Sequence, residues 1–260
     1  YFVDGSPSVT DVWFYSTPTA TAKAADGSEW HTVIIGGMRQ GGETYYALDI
    51  TDPDAADYPD YLWEFPAENA PAAIADYVGQ TWSEPILTKI RVKVGADTNN
   101  GVGYERWVAI FAGGYDPTGD PNDFINYDPA ATKGRAIFIV DIQTGQVLGM
   151  KAFNPAAAPG DLEGEMLYAI ASTPAVYDLD FDGYADVIYV GDLGGNMWKW
   201  EIHEIGEDRV NDLSGLTSQP DAAWPFKRFF QAPSYQQNPA NPIYYQSFFF
   251  PPAATEAREI

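Results

Sequence analysis

The chain has 260 residues, a formal net charge of −23 and no cysteine. That charge excludes nucleic acid as a default partner and a polybasic membrane anchor, and the missing thiols exclude disulfides and thiolate metal sites. Aromatic residues at 15%, with 24 Gly and 20 Pro, favour many strands joined by many turns.

The chain starts at Tyr1 in mid-pattern, which suggests a piece of a longer protein or a processed form. No apolar run is long enough for an integral membrane span. The first unit opens on Ser6-Pro7-Ser8-Val9. Apolar strands follow at Thr32–Gly37, Tyr45–Asp49 and Tyr61–Phe65. The second opens on Ser83-Glu84-Pro85-Ile86, with strands at Val108–Gly114, Ile137–Asp141 and Val147–Lys151. The third opens on Ser172-Thr173-Pro174-Ala175, with strands at Val187–Asp192, Asn196–Glu201 and Phe226–Phe230. A fourth is expected to start at Asn241-Pro242-Ile243-Tyr244-Tyr245.

The strand-ending glycines Gly36, Gly113 and Gly191 recur at steps of about 78 residues. Four antiparallel strands per repeat, the second and third strongly apolar, describe blades of an all-β propeller. The expected blades are residues 1–66, 80–153 and 168–231, with the start of a further one at 241–260. The repeat exceeds the usual blade length, so insertions are expected at 69–79, 96–103, 116–133, 154–165 and 204–224. The apolar tail Ile243–Pro251 is expected to pair as a strand with a neighbouring blade or a partner chain.

The run Asp178-Leu179-Asp180-Phe181-Asp182-Gly183-Tyr184-Ala185-Asp186 places carboxylates at loop positions 1, 3, 5 and 9, with glycine at 6. Four such charges repel one another unless a cation joins them, and oxygen donors at alternate positions suit a hard ion such as Ca2+. The expected ligands are Asp178, Asp180, Asp182 and Asp186, with the Tyr184 carbonyl. The loop lies between two strand-like runs and lacks the Glu of a helix–loop–helix calcium site. An acidic surface turn is the plainer alternative. Calcium would fix this strand connection, as a structural ion or as a switch.

The segments Trp30–Gly37 and Tyr45–Pro53, the opening Tyr1–Pro7 and above all the run from Asp178 to Lys199 resemble the PilC/PilY family of type IV pilus tip-associated proteins. In the last of these the acidic loop leads into Gly191-Asp192-Leu193-Gly194-Gly195-Asn196-Met197-Trp198. The resemblance implies a modified seven-bladed propeller at the C-terminal end of a large exported protein, at the pilus tip or on the outer membrane. It implies calcium on the Asp loop, pilin or minor pilin subunits as partners, and roles in pilus assembly, adhesion to a host or abiotic surface, and twitching motility. It implies no enzyme.

The rival reading is a dehydrogenase carrying pyrroloquinoline quinone. It draws on Ala47-Leu48-Asp49 with Thr51, and on Val140-Asp141 with Thr144-Gly145, which resemble quinoprotein blade motifs. Those residues also suit plain turn caps. The carboxylates of Asp116–Asp128 are irregularly spaced and read as a solvated loop. The tryptophans read as core packing between blades, and His31 and His203 as structural.

Overall fold

In a computed structural model of the chain, residues 3–95, 99–100, 102–202, 211–212, 225–236 and 241–253 are described. His203 and Trp224 lie outside them. The first blade holds β1 (Ser8–Trp13), β2 (Trp30–Gly37), β3 (Tyr45–Asp49) and β4 (Asp60–Phe65). The second holds β5 (Ile86–Lys93), β6 (Tyr104–Ala112), β7 (Ala136–Asp141) and β8 (Val147–Ala152). The third holds β9 (Ala175–Tyr177), β10 (Val187–Gly191), β11 (Asn196–Glu201) and β13 (Phe226–Gln231). Within each blade, neighbouring strands pair antiparallel in chain order. The two-residue β12 (Asn211–Asp212) leaves its own blade and adds parallel to β5, a pairing with no signal in the apolar pattern.

The continuous apolar runs of β6 and β7 follow from the position of their blade. Side chains alternate across a sheet, and both faces of this one are covered. Ala109, Phe111, Phe138 and Val140 pack against Val33, Ile35, Tyr45 and Trp63 of the first blade. Val108, Ile110, Ile137 and Ile139 pack against Ile188, Val190, Trp198 and Trp200 of the third. Each fully buried aliphatic or aromatic side chain contributes about 1.5–3 kcal/mol, so the two seams dominate the packing.

Polar bonds fix how the blades meet. Trp63 Nε1 donates to the Ile142 carbonyl at 2.7 Å, and the Tyr45 hydroxyl to that of Ser83 at 2.9 Å. The Ser-Pro and Ser-x-Pro starts are tied in series. Ser8 Oγ donates to the Pro85 carbonyl at 2.6 Å, and the Glu84 N–H to Thr173 Oγ1 at 2.9 Å.

Three of the expected insertions, 69–79, 116–133 and 154–165, contain short helical turns, and most of the expected insertion at 204–224 lies outside the described residues. Residues 72–75 form one helical turn, α1 (Ala72–Ala75), and Pro117–Gly119 and Leu162–Glu165 form 3-10 turns. The buried Arg135 guanidinium donates to the carbonyls of Pro129 (3.1 Å), Thr118 (2.7 Å) and Asp128 (2.5 Å), which folds the 116–133 loop down.

The tail departs from expectation, because residues 245–253 form no strand. Tyr244 makes an isolated bridge to Tyr235, and the chain then lies over the turn after β10. Phe248 N–H donates to the Asp192 carbonyl at 3.0 Å, and Ser247 Oγ to that of Leu193 at 2.6 Å. The side-chain amide of Asn122 bonds both the N–H (2.9 Å) and the carbonyl (3.1 Å) of Tyr245. With its backbone groups bonded to turns and a side chain, the tail has no sheet edge to join.

Candidate metal centre

The acidic loop is the connection from β9 to β10, as its flanking apolar runs require. Its fold is set by carboxylates taking the backbone N–H groups that a tight turn leaves without strand partners. Asp178 accepts from Phe181 N–H and Gly183 N–H, both at 2.7 Å. Asp180 accepts from Asp182 N–H at 3.0 Å, and Asp182 from Tyr184 N–H at 2.8 Å. Asp186 accepts from Leu179 N–H. Phe181 (φ 65°) and Gly183 (φ 90°) are left-handed, and glycine takes that conformation at no steric cost.

Three of the expected ligands come together. Asp178, Asp180 and Asp186 each offer a carboxylate oxygen, all within 4.8 Å of one another. Asp186 is fully buried, whereas Asp178 and Asp180 lie toward the surface. Asp182 stands outside this group; its Oδ2 lies 3.5 Å from Arg91 Nη2.

Tyr184, expected to offer only its carbonyl, is engaged through its side chain. Its ring lies 4.0 Å from the Arg91 guanidinium carbon and 4.7 Å from Lys89 Nζ. Its hydroxyl donates to Glu105 Oε2 at 2.9 Å. Burial and the neighbouring Glu105 carboxylate push the phenol up to about 12, so it stays a donor at neutral pH. Burial raises Glu105 in turn, but bonds from Lys23 and Tyr184 bring it below the ordinary glutamate value. The loop of the third blade is thereby braced on β5 and β6 of the second.

This brace was not read from the sequence. Its contacts join residues roughly 80–90 positions apart, beyond any local pattern. The available signal was the alternation Lys89-x-Arg91-x-Lys93, a cationic strand face in a chain with only 14 basic residues.

The turn after β10 holds a second carboxylate with a different role. Asp192 is fully buried. Its oxygens accept from the N–H groups of Gly194 and Asn196 (both 2.9 Å), from Asn196 Nδ2 (2.8 Å) and from Trp198 Nε1 (2.9 Å). Burial pushes it up to about 6 against those bonds. With its acceptor sites occupied by protein donors, it is a structural staple.

The remaining candidates are engaged in turns. Asp49 accepts from Thr51 N–H and Asp141 from Thr144 N–H, each at 2.9 Å, so the quinoprotein-like motifs act as turn caps. Asp116, Asp120 and Asp128 accept from the N–H two residues on. His31 Nδ1 lies 2.5 Å from Asp49 Oδ2, with its ring stacked on Phe14. Trp13, Trp63, Trp198 and Trp200 are buried in the blades, while Trp30 and Trp82 are partly exposed.

Comparison with known proteins locates this architecture. The family model described as the PilY1 beta-propeller domain matches residues 1–242. A type IV pilus biogenesis factor PilY1 homolog of Xylella fastidiosa is 31% identical over 78% of this chain and 11% of its own length. The type IV pilus biogenesis factor PilY1 of Pseudomonas aeruginosa is 27% identical over 90% of this chain and 14% of its own. The crystal structure of the P. aeruginosa PilY1 C-terminal domain aligns with a TM-score of 0.47 and 25% identity, over 77% of this chain and 30% of that one. The chain thus spans a small part of the curated relatives it matches.

Proposed function

Because the chain belongs to the family of PilY1 β-propeller domains, we propose that it serves type IV pilus biogenesis as a calcium-binding propeller. Its place is outside the cell, at the pilus tip or on the outer-membrane surface. Its partners are pilin or minor pilin subunits, and a host or abiotic surface is the adhesive target. Twitching motility depends on it through the pili it helps assemble. The relatives are named as type IV pilus biogenesis factors, which supports a role in assembly.

The observation that carries the metal reading is the carboxylate triad of Asp178, Asp180 and Asp186. The donors are all hard oxygens, which suit Ca2+ rather than a softer metal. Oxygens at about 2.3–2.6 Å from one ion stand at most about 5 Å apart, and the 4.8 Å limit of this group fits that bound. The Tyr184 carbonyl belongs to the same loop and completes the proposed donors. Bound there, the ion supplies positive charge among crowded carboxylates.

The chain's own residues convert that charge into architecture. Asp186 leads directly into β10, and the Ile202 N–H donates to its carbonyl at 2.8 Å. Asp178 closes the turn through two N–H groups. The Ala185 N–H donates to the Lys89 carbonyl at 2.8 Å, so the shape of the loop is felt across the seam. Calcium therefore holds the second and third blades in register, and the partner-binding surface with them.

The test is genetic. In a bacterium whose assembly depends on the protein carrying this chain, Asp178→Ala with Asp180→Ala should reduce surface pili and the twitching zone at normal protein levels. Undiminished piliation in that variant refutes the proposed role of the loop.

A further inference from the structure

The chain contains four Asp-Pro bonds, at residues 52–53, 116–117, 120–121 and 128–129. Each opens the same kind of turn, with proline in the second place. The carbonyl of Asp52, Asp116, Asp120 or Asp128 accepts the N–H three residues on, at 2.9–3.2 Å. The carboxylate of each accepts the N–H two residues on, at 2.9–3.0 Å. Among the described residues, one of these four carbonyls has a further donor. Arg135 Nη2 donates to the Asp128 oxygen at 2.5 Å, and the same guanidinium holds the carbonyls of Thr118 and Pro129. Arg135 is fully buried, with its guanidinium carbon 5.8 Å from the Tyr127 ring and 5.2 Å from the Phe153 ring. Among the described residues it makes no ion pair, so its charge falls on those carbonyl oxygens. Asp128 and Pro129 are themselves exposed to water.

We propose that the Asp128–Pro129 bond is a self-cleavage site, with the Arg135 guanidinium as the donor that stabilises the oxyanion. A carboxylate oxygen of Asp128 attacks the carbonyl carbon of its own residue, and the carbonyl oxygen takes up the negative charge. The bond to the Pro129 nitrogen then breaks as that nitrogen takes a proton from water. A five-membered anhydride remains on Asp128. One water opens it, which restores the side chain and leaves a free α-carboxylate at 128 and a new amino terminus at Pro129. Proline suits the departing role, because its nitrogen carries a second alkyl carbon in place of N–H and is the more basic for it. The geometry favours one bond of the four. A donor already in place where charge develops, and shielded from water, stabilises the transition state more than the ground state. Removing such a donor from an oxyanion hole costs about 100–1,000-fold in rate. The cut falls between β6 and β7, which are paired from Val108–Asp141 to Ala112–Ile137, so the two fragments stay together while folded. The inference is independent of the metal reading.

The experiment incubates the full chain at about pH 5, a unit above the ordinary aspartate value, and follows fragments by mass spectrometry. One sample is folded, as checked by circular dichroism, and one is in concentrated urea. The other three Asp-Pro bonds are the internal reference. In the folded chain, fragments 1–128 and 129–260 should form at least about tenfold faster than fragments from any other Asp-Pro bond. In urea that advantage should vanish, because the guanidinium no longer meets the carbonyl. Arg135→Gln should remove the advantage in the folded chain, and Asp128→Ala should abolish the cut after 128. The comparison of folded and unfolded native chain stands even if the Arg135 variant fails to fold. Equal rates at the four bonds in the folded chain, or no cleavage there at all, overturn the proposal. So does a preference for 128–129 that persists in urea or in folded Arg135→Gln, which would assign it to local sequence. A cut after 128 that survives Asp128→Ala also overturns it, because another agent then breaks the bond.

Discussion

Asp192 shows how one residue serves a motif. The acidic side chain at 192 takes donors from 194, 196 and 198, which accounts for the spacing of Gly-Asp-Leu-Gly-Gly-Asn-Met-Trp. The sequence identified the motif as a strand entry, but its polar role depends on burial that no local pattern reveals. Removing the carboxylate by Asp192→Ala orphans several buried donors, and should cost about 2–4 kcal/mol by chemical denaturation. The pH dependence has a defined sign. The folded value, about 6, lies above the ordinary aspartate value of 3.8. The folded state therefore holds the proton more strongly, and this stabilisation is full below pH 3.8 and lost as pH rises through 6. Wild type minus Asp192→Asn should fall by about 3 kcal/mol across that window and stay level above it. A difference that rises with pH would contradict the buried charge.

Elements in this chain meet through glycines that permit close passage of a neighbouring segment. Gly114 is left-handed (φ +92°), and a Cβ on it would stand 2.0 Å from the Gln80 carbonyl oxygen. Gly194 would meet the Tyr168 ring at 1.9 Å. The repeat of glycines after the second strand of each unit was legible, as were the strands themselves, because a blade packed on both faces needs long apolar runs. The segment crossing each turn was not, since crossing is a tertiary event. Gly114→Ala should destabilise the chain by about 2–4 kcal/mol, read by thermal melting. The tail is the clearest miss. Its apolar composition suggests a strand, but Asn122, Asp192 and Leu193 provide its hydrogen-bond partners instead. Asn122→Ala should therefore speed protease cleavage within 244–250 several-fold while leaving cleavage of the first blade unchanged.

At the scale of the whole molecule, a net charge of −23 presses on a fold whose acidic loop sits at a blade seam. Self-repulsion at that charge is relieved by screening, so Na+ should raise the melting temperature gradually. Ca2+ at matched ionic strength should raise it further, because it acts at one place. The fold class and the position of the loop could be read from the sequence because both rest on patterns within one unit. The Arg91–Asp182 contact and the Tyr184–Glu105 brace could not, because each joins two units.

The central claim is that Asp178, Asp180 and Asp186 share one cation. It is tested most directly by calorimetric titration of Ca2+ into chelator-stripped chain and into Asp178→Asn. The account predicts saturable binding of one ion per native chain and at least tenfold weaker binding in the variant. Absence of binding to the native chain, or equal binding to both, would contradict it and leave an acidic turn between two strands.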